Sequence, residues 1–187
     1  MGHAWLQQKS LMPRAMRLTA HTEEGDMIAR LIAIGTAALI LTSASVARAG
    51  DTFKAELSGD NEVPAVTDQG TTGKFVIQFN RDFSKGEYKL VVNKGVRVTQ
   101  GHFHCGAAGV NGSIIVFLAG FQANGWDVDG QWITNATVTN DNIVLKTTPC
   151  GDTLAKIADA ARHGMVYVNV HSVHNPGGVA RGQLEED

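Results

Sequence analysis

Hydrophobic residues recur at every second position in a series of short stretches, and turn-forming residues separate the stretches. Residues 52–57 set Phe53, Ala55 and Leu57 against Lys54 and Glu56. Residues 74–79 place Phe75, Ile77 and Phe79 on one face, and residues 87–93 do the same with Tyr88, Leu90 and Val92. A period of two marks a half-buried strand, because successive side chains of an extended chain point to opposite sides. Asn80, Asp82, Ser84 and Gly86 fill the gap between the second and third stretches and predict a turn there. Further strands are predicted at 96–104, 113–118, 131–138, 143–146, 165–171 and 179–184. Strands this short and this numerous predict an antiparallel sandwich or barrel.

Residues 152–163 break the pattern. Leu154, Ile157, Ala158 and Ala161 recur at helical spacing, Asp152 is a good N-cap, and Gly164 sits where a helix would end. One short amphipathic helix is predicted, with its apolar face on the sheets.

The first 49 residues read differently. Met27 and Arg30 open a short basic start, an apolar run covers 31–41, and Ala47-Arg48-Ala49 has the small-x-small form of a cleavage site. This is the layout of a secretory signal peptide over 27–49. The run is well short of the ~20 residues of a membrane helix, so no span is expected after cleavage. Residues 1–26 precede a good start at Met27 and are expected to be a misassigned start or a disordered extension. Residues 50–187 form the expected mature domain, periplasmic or secreted.

Composition narrows the function. The 187-residue chain has a net charge of −2, which argues against a nucleic-acid partner. The two cysteines, Cys105 and Cys150, should pair in an oxidising compartment, closing a loop worth about 4 kcal/mol of chain entropy. The competing reading makes Cys105 a thiolate metal ligand. No Gly-x-Ser-x-Gly or phosphate-binding loop occurs, so binding is favoured over catalysis. Asp127 and Asp129 read as a solvated turn rather than a calcium loop.

Histidine carries the candidate chemistry. His102 and His104 flank Phe103, and residues two apart on a strand share a face at roughly 6.6 Å. On the later strand Val166, Val168 and Val170 face one way, so Tyr167, Asn169 and His171 face the other. If the two strands are neighbours, His102, His104 and His171 are presented together on the outward face, with their apolar neighbours turned inward. Three imidazoles without a carboxylate suit copper or zinc, not calcium or magnesium. His174, in the following loop, is a candidate fourth ligand. His163, in the last turn of the helix, reads as structural.

Several segments together resemble the CHRD domain. They are Phe53-Lys54-Ala55-Glu56-Leu57-Ser58-Gly59 with Asn61-Glu62-Val63-Pro64, then Gly101-His102-Phe103-His104-Cys105-Gly106 with Asn111-Gly112. The third runs from Gly164 through Asn169 and His171 into Asn175-Pro176-Gly177-Gly178 and Arg181-Gly182-Gln183-Leu184. The resemblance implies an immunoglobulin-like or superoxide-dismutase-like antiparallel β-sandwich, exported in bacteria. His102, His104 and His171 match its motif positions, as do Glu62 and Arg181, which would form a bidentate structural pair between the first loop and the last strand. The His-x-His before a glycine-rich loop also resembles the copper loop of copper/zinc superoxide dismutase. Five histidines after residue 50, one of them on the helix, fall short of that enzyme's two-metal ligand set. The expectation is therefore one metal ion, copper before zinc, used for sequestration, delivery or redox protection. The alternative is a metal-free structural or protein-interaction module with an unidentified partner. A small dismutase-like oxidoreductase comes last.

Overall fold

The computed structural model describes residues 50–67 and 69–187. The expected extension at 1–26 and the expected signal peptide at 27–49 lie outside the described residues. Eight strands run in chain order: β1 (Thr52–Ser58), β2 (Thr72–Phe79), β3 (Lys85–Cys105), β4 (Ser113–Ala119), β5 (Trp126–Thr139), β6 (Val166–Ser172), β7 (Ala180–Gln183) and β8 (Glu185–Glu186). Among the described residues a single α-helix, α1 (Leu154–Arg162), lies between β5 and β6. The fold is mainly β, antiparallel and sandwich-like, as the alternation implied.

The pairing closes on itself. β1 pairs with β2 and β7, β2 with β3, β3 with β6, and β6 with β7, so these five strands form a hydrogen-bonded ring. β4 and β5 add to β3, and β8 adds to the start of β1. The Asp187 N–H donates to the Thr52 carbonyl at 2.9 Å. Arg162 bridges Asp51 and Glu186 alongside.

β3 makes the ring possible, and it corrects one expectation. The stretches 87–93 and 96–104 are not two strands but halves of one 21-residue strand. Its first half pairs with β2 and its second with β6. Between them the register to β5 slips at Gly95 and again before Val98. Lys94 and Arg97 there adopt positive φ (52° and 48°), which is uncommon for residues with a Cβ. Asp129 and Asp127 offset that cost by accepting from the backbone N–H of Lys94 (3.1 Å) and Arg97 (3.0 Å). The two aspartates lie in β5 rather than in a turn, and they brace the bend in β3.

Two smaller expectations also change. Residues 143–146 make no strand, only an isolated bridge from Ile143 to Val116. The helix is capped by Thr153, whose hydroxyl accepts from the Lys156 N–H at 3.3 Å, whereas Asp152 pairs with the Lys156 side chain. Leu154, Ile157, Ala158 and Ala161 are buried as the spacing implied, and Gly164 ends the helix at φ +69°. The core gathers the alternating apolar residues: Phe53 and Leu57 of β1, Phe75, Ile77 and Phe79 of β2, Leu90 and Val92 of β3, Val166, Val168 and Val170 of β6. Cys105 and Cys150 form a disulfide, so Cys105 is no thiolate ligand. It ties the end of β3 to the approach to α1.

Candidate metal centre

β3 and β6 lie side by side and antiparallel, with His104 opposite Tyr167, His102 opposite Asn169 and Gln100 opposite His171. Side chains paired across an antiparallel ladder share a face. His102, His104, Tyr167, Asn169 and His171 therefore stand on one side of the sheet. Phe103 and the three valines of β6 go to the other side and into the core.

The structure corrects one part of the parity expectation. The histidine face is not open to solvent: His102, His104 and His171 are 0, 6 and 4% exposed, and every residue of β6 is buried. The glycine-rich segments 106–112 and 173–179 reach over it, supplying carbonyls to the rings. Phe117 of β4 sets its ring edge-on to His102 at 4.6 Å and is 44% exposed, a cover between the site and solvent.

The rings meet. Centroids of His102 and His171 lie 4.6 Å apart, those of His102 and His104 5.4 Å, and those of His104 and His171 5.6 Å. One nitrogen from each lies within 4.8 Å of the others. Nitrogens sharing one ion at ~2.0–2.1 Å stand at most ~4.2 Å apart, so the cluster allows metal binding once the rings shift and the His102–His171 hydrogen bond opens.

The acceptors around the rings fix the tautomers. His171 Nδ1 lies 2.9 Å from the Pro176 carbonyl and His104 Nδ1 lies 3.0 Å from the Gly112 carbonyl. A carbonyl only accepts, so both Nδ1 atoms carry the proton in neutral rings and both Nε2 atoms carry the lone pair. His102 Nδ1 sits 2.9 Å from His171 Nε2 and must then donate to it. Two free Nε2 lone pairs result, because that of His171 accepts the His102 Nδ1–H. Those of His102 and His104 are buried with no hydrogen-bond partner. Backbone carbonyls holding the Nδ1–H of metal-binding histidines are the usual outer support of such sites.

Burial keeps the cluster uncharged. Desolvation, helped by the neighbouring imidazoles, holds His102 down to about 3. Desolvation outweighs the Gly112 hydrogen bond and holds His104 down to about 4, with Arg181 adding to the effect. His171 is lowered for the same first reason, against the Pro176 carbonyl. Neutral imidazole is the form that ligates a metal ion.

The remaining sequence-predicted residues fall into place around this cluster. His174 is exposed in the loop after β6 and does not join the three. His163 closes α1, its Nδ1 2.8 Å from the Asp159 carbonyl. Glu62 and Arg181 are both buried, but they do not form the expected bidentate pair. The Arg181 guanidinium stacks on Tyr167 at 3.5 Å and donates to the carbonyls of Ala107 (2.8 Å) and Val110 (2.9 Å) and to Asn111 Oδ1 (3.3 Å). Its donors are taken up by the 106–112 segment before they reach the first loop. Glu62 instead accepts from Asn169 Nδ2 at 3.3 Å, and burial, opposed by Asn169 and Arg181, pushes its carboxyl up to about 7. Gly178, at φ +141°, lies against this pair, and a Cβ there would stand 2.6 Å from both carboxyl oxygens.

A family model for the CHRD domain matches residues 53–184. The chain belongs to the CHRD-domain family. No curated protein and no solved structure is significantly similar to it. In this CHRD domain the supporting residues that sequence reasoning missed are Tyr167, Gly112 and Phe117. Tyr167 stacks on His104 (4.8 Å, 12° between planes), and its hydroxyl accepts the Gly112 N–H at 3.0 Å. Gly112 thus holds His104 with its carbonyl and Tyr167 with its amide. Strand parity already put Tyr167 on the histidine face, but nothing in the sequence marks a glycine carbonyl as an acceptor.

Proposed function

We propose that this CHRD domain binds a single transition-metal ion, copper before zinc, through His102, His104 and His171. Its use is sequestration, delivery or redox protection in an exported, periplasmic or secreted protein. In this reading residues 27–49 are a signal peptide and residues 50–187 the mature chain. A disulfide is at home in such a compartment. Among the described residues no helix is long and apolar enough to cross a membrane.

One observation carries the reading. His102 Nε2 and His104 Nε2 are sealed from water and lack a partner, beside a third imidazole within shared-ion reach. A buried acceptor left empty costs ~1–3 kcal/mol, and an ion is the partner that uses both at once. Copper comes first because the ligand set is all imidazole, and zinc is the alternative on the same ground.

Calorimetric titration of the purified protein with Cu(II), read in parallel by electron paramagnetic resonance, tests it. One equivalent with nitrogen hyperfine structure is expected, and His102→Ala should abolish it. A folded protein that takes up none of Cu(I), Cu(II) and Zn(II) would overturn the reading. The second reading, a metal-free interaction module, draws on the His102–His171 hydrogen bond, which partly satisfies the cluster without an ion. A dismutase-like activity is the remaining alternative, tested by superoxide consumption of the loaded protein.

A further inference from the structure

The charge around the three rings is as informative as their geometry. Among the described residues no carboxylate or thiolate hydrogen-bonds to His102, His104 or His171; their polar contacts are each other and two backbone carbonyls. Cys105, next to His104, is held in the disulfide. The charged side chain closest in effect is positive: Arg181 stacks on Tyr167, and Tyr167 stacks on His104. Glu62 is turned to Asn169 and Gly178 rather than to the rings. The walls are Phe117 against His102 and Tyr167 against His104.

An ion entering this site brings its whole charge into buried surroundings in which no carboxylate or thiolate hydrogen-bonds to the rings and the nearest carboxyl, that of Glu62, is turned to Asn169. The Born cost of such a transfer grows with the square of the charge, so a dication pays about four times what a monocation pays. Coordination number points the same way. Zinc sites are closed by a fourth ligand and cupric sites prefer a tetragonal set, whereas His102 Nε2 and His104 Nε2 are out of reach of solvent. A d¹⁰ monovalent ion is content with three nitrogen ligands or two.

We propose that the three-imidazole site is built for a monovalent ion, cuprous copper, in preference to cupric copper or zinc. The inference rests on the metal-site reading above and adds the oxidation state of the cargo. The protein would then hold copper in its reduced form and resist its oxidation. The positive Arg181 and the apolar cover at Phe117 act as selectivity elements, disfavouring divalent ions.

The test compares affinities of the purified, disulfide-bonded protein. Cu(I) is titrated anaerobically against a cuprous chelator, and Cu(II) and Zn(II) against a divalent chelator. Cu(I) is expected to bind about a thousandfold more tightly than Cu(II), which at 59 mV per tenfold change raises the potential of the bound couple by ~180 mV over that of the free ion. Cu(II) binding as tightly as Cu(I) would overturn the inference and leave the metal site standing. Failure of all three ions to bind would overturn the metal site itself. A second variant isolates the charge argument: Phe117→Glu sets a carboxylate beside His102 on the solvent side of the site, with Phe117→Gln as its neutral control. Phe117→Glu should narrow the Cu(I)-to-Cu(II) ratio by about tenfold relative to Phe117→Gln, reading ~59 mV lower in potential. Equal ratios in the two variants would overturn the assignment of selectivity to missing negative charge.

Discussion

On the side of β3 and β6 that carries Phe103, Val166, Val168 and Val170, burial needs nothing further. On the side that carries His102, His104, Tyr167, Asn169 and His171, burial is as deep but leaves polar atoms without partners. The same two strands thus build a face that stabilises the fold and a face that costs it something. The apolar face gains roughly 1.5–3 kcal/mol for each large side chain removed from water. The polar face spends part of that gain on desolvated imidazoles and a desolvated carboxyl. The histidine cluster therefore lies in the protein's interior, held by the backbone carbonyls of Gly112 and Pro176.

The comparison can be broken in order of effect. Phe103→Ala removes a fully buried ring from the apolar face and should cost about 3–5 kcal/mol in urea unfolding. The fraction that stays folded should still take up one equivalent of metal. Loss of metal binding in the folded fraction would show that the two faces are not separable. Replacing Cys105 and Cys150 together by serine should cost ~2–4 kcal/mol, seen as a lower Tm that reductant no longer shifts. Because Cys105 follows His104 directly, metal affinity should fall with it.

Between pH 6.5 and 4.5 acid acts first on the polar face. His102, His104 and His171 have lowered folded-state values, so below pH ~6.5 the unfolded chain takes up protons that the folded chain refuses. Stability of the metal-free protein should therefore fall as pH drops from about 6.5 toward 4. Glu62, raised from 4.5 to about 7, works the other way between those values. Three groups against one leave the protein acid-labile, at ~1.4 kcal/mol per pH unit for each excess proton. Urea midpoints that stay flat between pH 6.5 and 4.5 would contradict the buried, neutral cluster. The smallest effect belongs to an outer partner. Tyr167→Phe keeps the ring on His104 but removes the hydroxyl that accepts the Gly112 N–H, and should weaken metal binding about tenfold with little change in Tm. An unchanged affinity would reduce Tyr167 to packing.

How far the site was legible follows from the same contrast. Alternation along β3 and β6 identified which residues share a face, but that the two strands are neighbours, and so bring His102, His104 and His171 together, came from the structure. Alternation says nothing of what lies over a face. The cover comes from segments 106–112 and 173–179, whose backbone carbonyls orient His104 and His171 and whose placement depends on contacts distant in sequence. For the same reason the motif residues Glu62 and Arg181 were legible as buried partners but not as partners of Asn169 and of the 106–112 carbonyls. The unbroken course of β3 was hidden because Lys94-Gly95 resembles a turn. Asp127 and Asp129, thirty-odd residues later, supply the acceptors that let the strand pass through it.

The pairing of β8 with β1 brings the first and last residues of the domain side by side, with Asp187 donating to Thr52. A module with adjoining ends is a cassette: it can be spliced into a surface loop of a host polypeptide, or strung in tandem, without prying either neighbour apart.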